Sequence, residues 1–136
     1  MQGCTQRGLC DLGGGAIHQD WSGYVTPQQP ALAGEVLHFF GTGFGPVQPP
    51  VETGVSAPAS PLSMTLQRPA CSSEPAGPVT VTYLGLAPGL IGYYQMDIQL
   101  PAVIPAGHPT ENRTYDQLAL ACGGAIAVFA IRANGR

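Results

Sequence analysis

From Tyr93 to Leu100 the chain alternates strictly, with Tyr94, Met96, Ile98 and Leu100 on one side and Tyr93, Gln95, Asp97 and Gln99 on the other. A period of two is what a half-buried strand requires, because successive side chains point to opposite faces of a sheet. Pro101 has no N–H to donate to a ladder and ends the run. Ahead of it, Ala87-Pro88-Gly89 in the Gly85–Gly89 segment predicts a turn, proline presetting φ and glycine accepting φ > 0. The strand therefore needs a covered face and an antiparallel neighbour, and the chain is expected to close as an all-β antiparallel β-sandwich around it. On this reading Tyr94 points to the core. Tyr93 and Asp97 point away, Asp97 into solvent.

The rest of the chain supplies partners for that strand. Gly34–Gly45 (GEVLHFFGTGFG) is a β-branched and aromatic run ending in a glycine corner, with Leu37 and Phe39 on one face and Val36, His38 and Phe40 on the other. Phe44 is expected to fold back from that corner as a core plug. Met64–Gln67 predicts a short strand, and Pro78–Tyr83 a longer one with Val79, Val81 and Tyr83 inward and the threonines outward. Tyr115–Cys122 and Ala125–Ile131 flank Gly123-Gly124, the pattern of a hairpin whose turn needs positive φ. Leu118 and Leu120 are spaced for one face, as are Ile126 and Val128. Ala16–Trp21 is a candidate first strand, with the single tryptophan packed inward. Pro46–Pro61 and Ser72–Gly77 read as loops. About seven strands result, with residues 1–15 as a loop or tail and residues 16–136 as one domain.

Composition narrows the function classes. Glycine (19) and proline (14) are abundant beside 44% hydrophobic residues, which suits short strands joined by turns better than disorder. There is no lysine, and the net charge is −3, so neither nucleic acid nor an anionic membrane surface is an expected partner. No apolar run is long enough to span a bilayer, and no charged-then-apolar leader opens the chain, so either a removed signal or a piece of a longer protein is expected. Cys4, Cys10, Cys71 and Cys122 include no CxxC pair, which favours disulfides over zinc and an oxidising compartment. Three pairings are formally possible. Cys4–Cys10 with Cys71–Cys122 is preferred, and free buried thiols are the alternative.

Gly34–Val47 (GEVLHFFGTGFGPV) resembles the opening strand and glycine corner of immunoglobulin-like IPT/TIG domains. Together with Ser60–Ser63, Pro78–Tyr83 and Gly85–Gln95 (GLAPGLIGYYQ), it is similar to an uncharacterised C-terminal domain of secreted multidomain proteins of acidobacterial type, over residues 16 to 131. The resemblance implies an Ig-like sandwich and an extracellular or cell-surface setting. It carries no catalytic residues. The cysteine-bearing N-terminal segment and the stretch around Arg68–Gly77 depart from its pattern.

The chemistry-bearing residues form no familiar constellation. His18, His38 and His108 lack the spacing that would put ligands on one face, so no metal is expected, and His38 reads as a core or rim histidine. Asp20, Asp97, Asp116 and Glu111 are scattered, without the clustered oxygens of a calcium loop. No G-x-S-x-G elbow is present, no cofactor motif appears, and an enzyme is not expected. Asn112-Arg113-Thr114 matches a glycosylation sequon but reads as a polar loop. A structural or assembly role is the first expectation, with other domains or copies of the chain adding at sheet edges. A polysaccharide- or protein-binding module is the alternative, with Tyr93 and Tyr24 as candidate contacts.

Overall fold

The computed structural model describes residues 15–66, 70–74, 77–104, 116–122 and 125–132. Among these the chain is all-β, with β1 (Val36–Gly41), β2 (Val47–Gln48), β3 (Met64–Thr65), β4 (Cys71–Glu74), β5 (Gly77–Leu86), β6 (Tyr94–Gln99), β7 (Asp116–Cys122) and β8 (Ala125–Ile131). Every strand pair is antiparallel, in the order β1-β6-β5-β4-β7-β8, and β3 joins β2 to β5.

The predicted central strand is β6, between β1 and β5. Met96, Ile98 and the following Leu100 are buried as the alternation requires, and Tyr94 is half-buried. The sheet curls because β5 serves two neighbours in succession. Its first residues pair with β4 through Val79↔Cys71, and its later ones with β6 from Thr80↔Gln99 onward, with a register shift between Val81 and Tyr83. Such irregularities bend and twist a strand. The curl brings the far strand back over the near one: Phe39 of β1 meets Phe129 of β8 with ring centroids 5.9 Å apart. Leu37, Leu84, Leu118, Leu120 and Ile131 complete this interior. Ala31, just ahead of β1, bridges Ile131 at the end of β8. Its N–H donates to the Ala130 carbonyl and its own carbonyl accepts from Arg132 N–H. The path thus nearly returns to its start.

Cys71 and Cys122 are register partners on β4 and β7, 4.2 Å apart between Cα atoms and joined as a disulfide. Cys4 and Cys10 lie outside the described residues, as do His108, Glu111 and the Asn112 sequon.

Several expectations are corrected. Ser72–Gly77 is not simply a loop: β4 runs to Glu74, because Ser73 and Cys71 alternate inward with exposed Ser72 and Glu74. The Pro46–Pro61 segment contributes β2 and buries Ala57, which bridges Pro88. Gly85 belongs to β5 rather than to the turn, and a methyl group there would come within 2.4 Å of the Ser63 carbonyl. Glycine is required by that close approach of β3. Ile126 and Val128 do share a face, but it is the outer one, since Phe129 and Ile131 take the interior. Phe44 is half-buried against the core, edge-on to Tyr94 at 5.7 Å.

Candidate functional site

Ala16–Trp21 is not a full strand. Ile17 bridges both Tyr24 and His38, so a miniature hairpin of residues 16–25 lies along the free edge of β1. His18 N–H donates to the Gly23 carbonyl and Val25 N–H to the Ala16 carbonyl across it, and Trp21 N–H closes the tip onto the His18 carbonyl. At that tip Trp21 adopts φ 62°, a left-handed conformation that costs a non-glycine residue about 1 kcal/mol. The turn swings its indole out of the interior, contrary to the inward packing predicted. Trp21 is 54% exposed, with one face stacked on the His38 imidazole at 3.8 Å and 8° between planes.

His38 and Asp97 are cross-strand partners on the face of β1 and β6 opposite the core. The Asp97 carboxylate is not free in solvent as its parity suggested: it accepts from His38 Nδ1 at 2.7 Å and from the Gln95 amide at 3.0 Å. The other ring nitrogen, Nε2, points at the Gln19 carbonyl, 3.2 Å away. His18 repeats the arrangement. Its Nδ1 meets Glu35 at 2.7 Å and its Nε2 meets the Gln29 carbonyl at 2.9 Å. Glu35 is also held by the N–H groups of Gln19 and Leu32.

Burial of the His18 ring works against its charge, but the hydrogen bond to Glu35, the Gln29 carbonyl and the nearby Asp20 carboxylate outweigh it, and the His18 pKa is raised. Asp20 is pulled down by hydrogen bonds from Ser22. Burial raises the Tyr83 phenol, with a further push from the Asp97 charge, and burial raises that of Tyr94. A cleft of about 650 Å³ opens beside His18 and Glu35, lined also by Asp20, Ser22, Gln28 and Arg132.

A histidine–carboxylate pair is a familiar catalytic arrangement, in which the second ring nitrogen must reach a substrate. Here both second nitrogens are committed to backbone carbonyls, and one face of His38 is covered by indole. As placed, neither imidazole offers a nitrogen for proton transfer. Both fasten chain to chain.

The two aromatic contacts expected from the sequence are both exposed, Tyr24 at 56% and Tyr93 at 38%. They stand on different elements, Tyr24 in the miniature hairpin and Tyr93 at the entry to β6. Trp21 joins Tyr24 at the hairpin as an exposed ring, where the sequence reading packs it inward. Its neighbours Ser22-Gly23 were the available signal, since a turn there carries Trp21 with it. Among the described residues no group of three or more His, Cys, Asp or Glu is placed to hold a metal ion, and no helix is long and apolar enough to cross a membrane. No family model, curated protein or solved structure matches the chain.

Proposed function

We propose that this chain is a non-catalytic extracellular module, Ig-like in its sandwich architecture, that assembles with a second copy through the outer face and edge of β8. One observation carries the reading. Ala125–Ile131 (AIAVFAI) is apolar at every position, yet only one of its faces is used by the interior. Strands covered on both sides read as continuous apolar runs, whereas strands with a wet face alternate. Ile126 and Val128 are instead 62% and 59% exposed, beside exposed Ala119 and Ala121 of β7. Ala31 pairs with the end of that edge, at Ala130 and Arg132, and the stretch before it, Ala125–Phe129, carries no charge or proline of the kind that blunts an open edge. The Cys71–Cys122 bond fits an oxidising environment.

Sedimentation across a concentration series tests the assembly. Self-association that Val128→Lys abolishes without loss of thermal stability supports it, and a monomer at every concentration overturns it. A second reading, polysaccharide binding, is favoured by the exposed rings of Trp21 and Tyr24 on one hairpin. Glycan binding lost in Trp21→Ala supports that reading, and no binding across cell-wall and plant glycans removes it.

A further inference from the structure

The four ring nitrogens of His18 and His38 all face oxygens that are occupied as acceptors. Backbone carbonyls of Gln29 and Gln19 cannot donate. Glu35 receives backbone N–H groups on both of its oxygens, from Gln19 at 3.2 Å and Leu32 at 3.0 Å. Asp97 receives the Gln95 amide. A neutral imidazole has one N–H and can satisfy only one of its two oxygens, while an imidazolium satisfies both. Each carboxylate then becomes the partner of a cation in a largely dry setting, where charge-assisted bonds are strongest. The indole face of Trp21 stacked on His38 adds a cation–π attraction for the imidazolium, on top of the stacking that a neutral ring also makes.

We propose that residues 16–30 form a proton-dependent clasp: with both imidazoles doubly protonated the miniature hairpin is locked onto β1 and β6, and loss of those protons releases Trp21 from His38 and loosens the wall of the cleft beside His18. The lock is double because the histidines grip from opposite sides. His38, on β1, holds the carbonyl of Gln19 in the hairpin, and His18, in the hairpin, holds Glu35 ahead of β1. When either ring becomes neutral, one acceptor oxygen is left facing a bare nitrogen of a buried imidazole, so a hydrogen bond is lost and two lone pairs oppose each other.

Among the described residues the charged and titratable groups around the clasp are few. His18 faces Glu35, with Asp20 on its own turn and Arg132, from the end of β8, on the same cleft. His38 faces Asp97 of β6, beyond which lies Tyr83 of β5. Carboxylates stand next to both rings, and among the described residues Arg132 is the one arginine lining the cleft. The sequence contains a single tryptophan, so the clasp reports on itself.

The experiment is a titration of the intact protein from about pH 5 to about pH 8, the range in which histidine protons are exchanged, read by Trp21 emission and by imidazole N–H signals in nitrogen-edited NMR. A stacked imidazolium quenches indole emission. The expected result is therefore weak emission and protons on both nitrogens of His18 and His38 at the acid end, then a rise and red shift of emission as they are lost. His38→Gln is expected to be bright and flat with pH. Wild-type emission that is constant across the range while the protein stays folded overturns the proposal. So does a bare ring nitrogen on either histidine at the acid end. If the variant does not fold, the wild-type titration and its NMR signals decide alone.

Discussion

Two hairpins stand at the two ends of the curled sheet, and they are fastened by different physics. The β7–β8 hairpin is held by area: Leu118, Leu120, Phe129 and Ile131 are buried and Cys122 is bonded to β4. The hairpin of residues 16–25 buries Ala16 and His18 with Val25 half-buried, and is held mainly by hydrogen bonds: His18 to Glu35, His38 to the Gln19 carbonyl, Val36 N–H to the Gln19 side chain, and the backbone pair between Ile17 and His38. Burial is non-directional and indifferent to protons, whereas the polar attachment needs each donor to meet its acceptor. Perturbations should therefore separate the two ends, and the size of each effect should follow from which fastening it strikes.

The largest loss is expected from Phe39→Ala, which removes the ring that meets Phe129 under the whole sheet. Stability should fall by about 4 kcal/mol in denaturant unfolding, the range for a large aromatic truncated in a core. Removing the Cys71–Cys122 bond by a double Ala replacement should cost about 3 kcal/mol, most of it through the unfolded chain. Gly85→Ala follows at about 2 kcal/mol or more, because β3 must move away from the added methyl. None of these three should alter the pH dependence of Trp21 emission while the protein is folded. An effect of Phe39→Ala on that titration would break the separation.

At the polar end the effects are smaller and have a sign in pH. His18 is raised above its ordinary value by its partners, so its contribution is whole below about pH 6.5 and is lost as pH climbs through the raised value. Wild-type stability should decline over that window, and His18→Gln should cost about 1 kcal/mol at the acid end and flatten the decline. Thermal melts at matched ionic strength would show it. A variant whose pH profile parallels wild type would assign the dependence elsewhere.

The contrast also separates what the sequence disclosed from what it concealed. The area-driven parts are legible: the Tyr94–Leu100 row and the two apolar runs that become β7 and β8 follow from their periods, while the Gly123-Gly124 turn lies outside the described residues and the Cys71–Cys122 bond is the preferred one of three possible pairings. Periodicity says which side a residue takes but not what lies opposite. Asp97 was placed on the outer face correctly and sent into solvent wrongly, because its partner His38 is 59 positions away and the register that joins them is a tertiary fact. Trp21 was assigned by hydrophobicity, but its turn decided otherwise. Ile126 and Val128 were spaced alike in the sequence, with nothing local to say which face the interior would claim. Strands as short as β2 and β3 leave no period to detect.

β5 gives the molecule a direction. It is bonded to β4 over its first residues and to β6 and β3 over the rest, so it is the seam between the two halves of the sheet. Tension pulling along this strand would load its flanking ladders in shear, with many hydrogen bonds strained together instead of peeled one at a time. Next to the seam, the bond between Cys71 and Cys122 couples β4 covalently to β7, so sliding of that flank stops at a link that does not creep. In a chain of such units the seam would set the mechanical strength of each link.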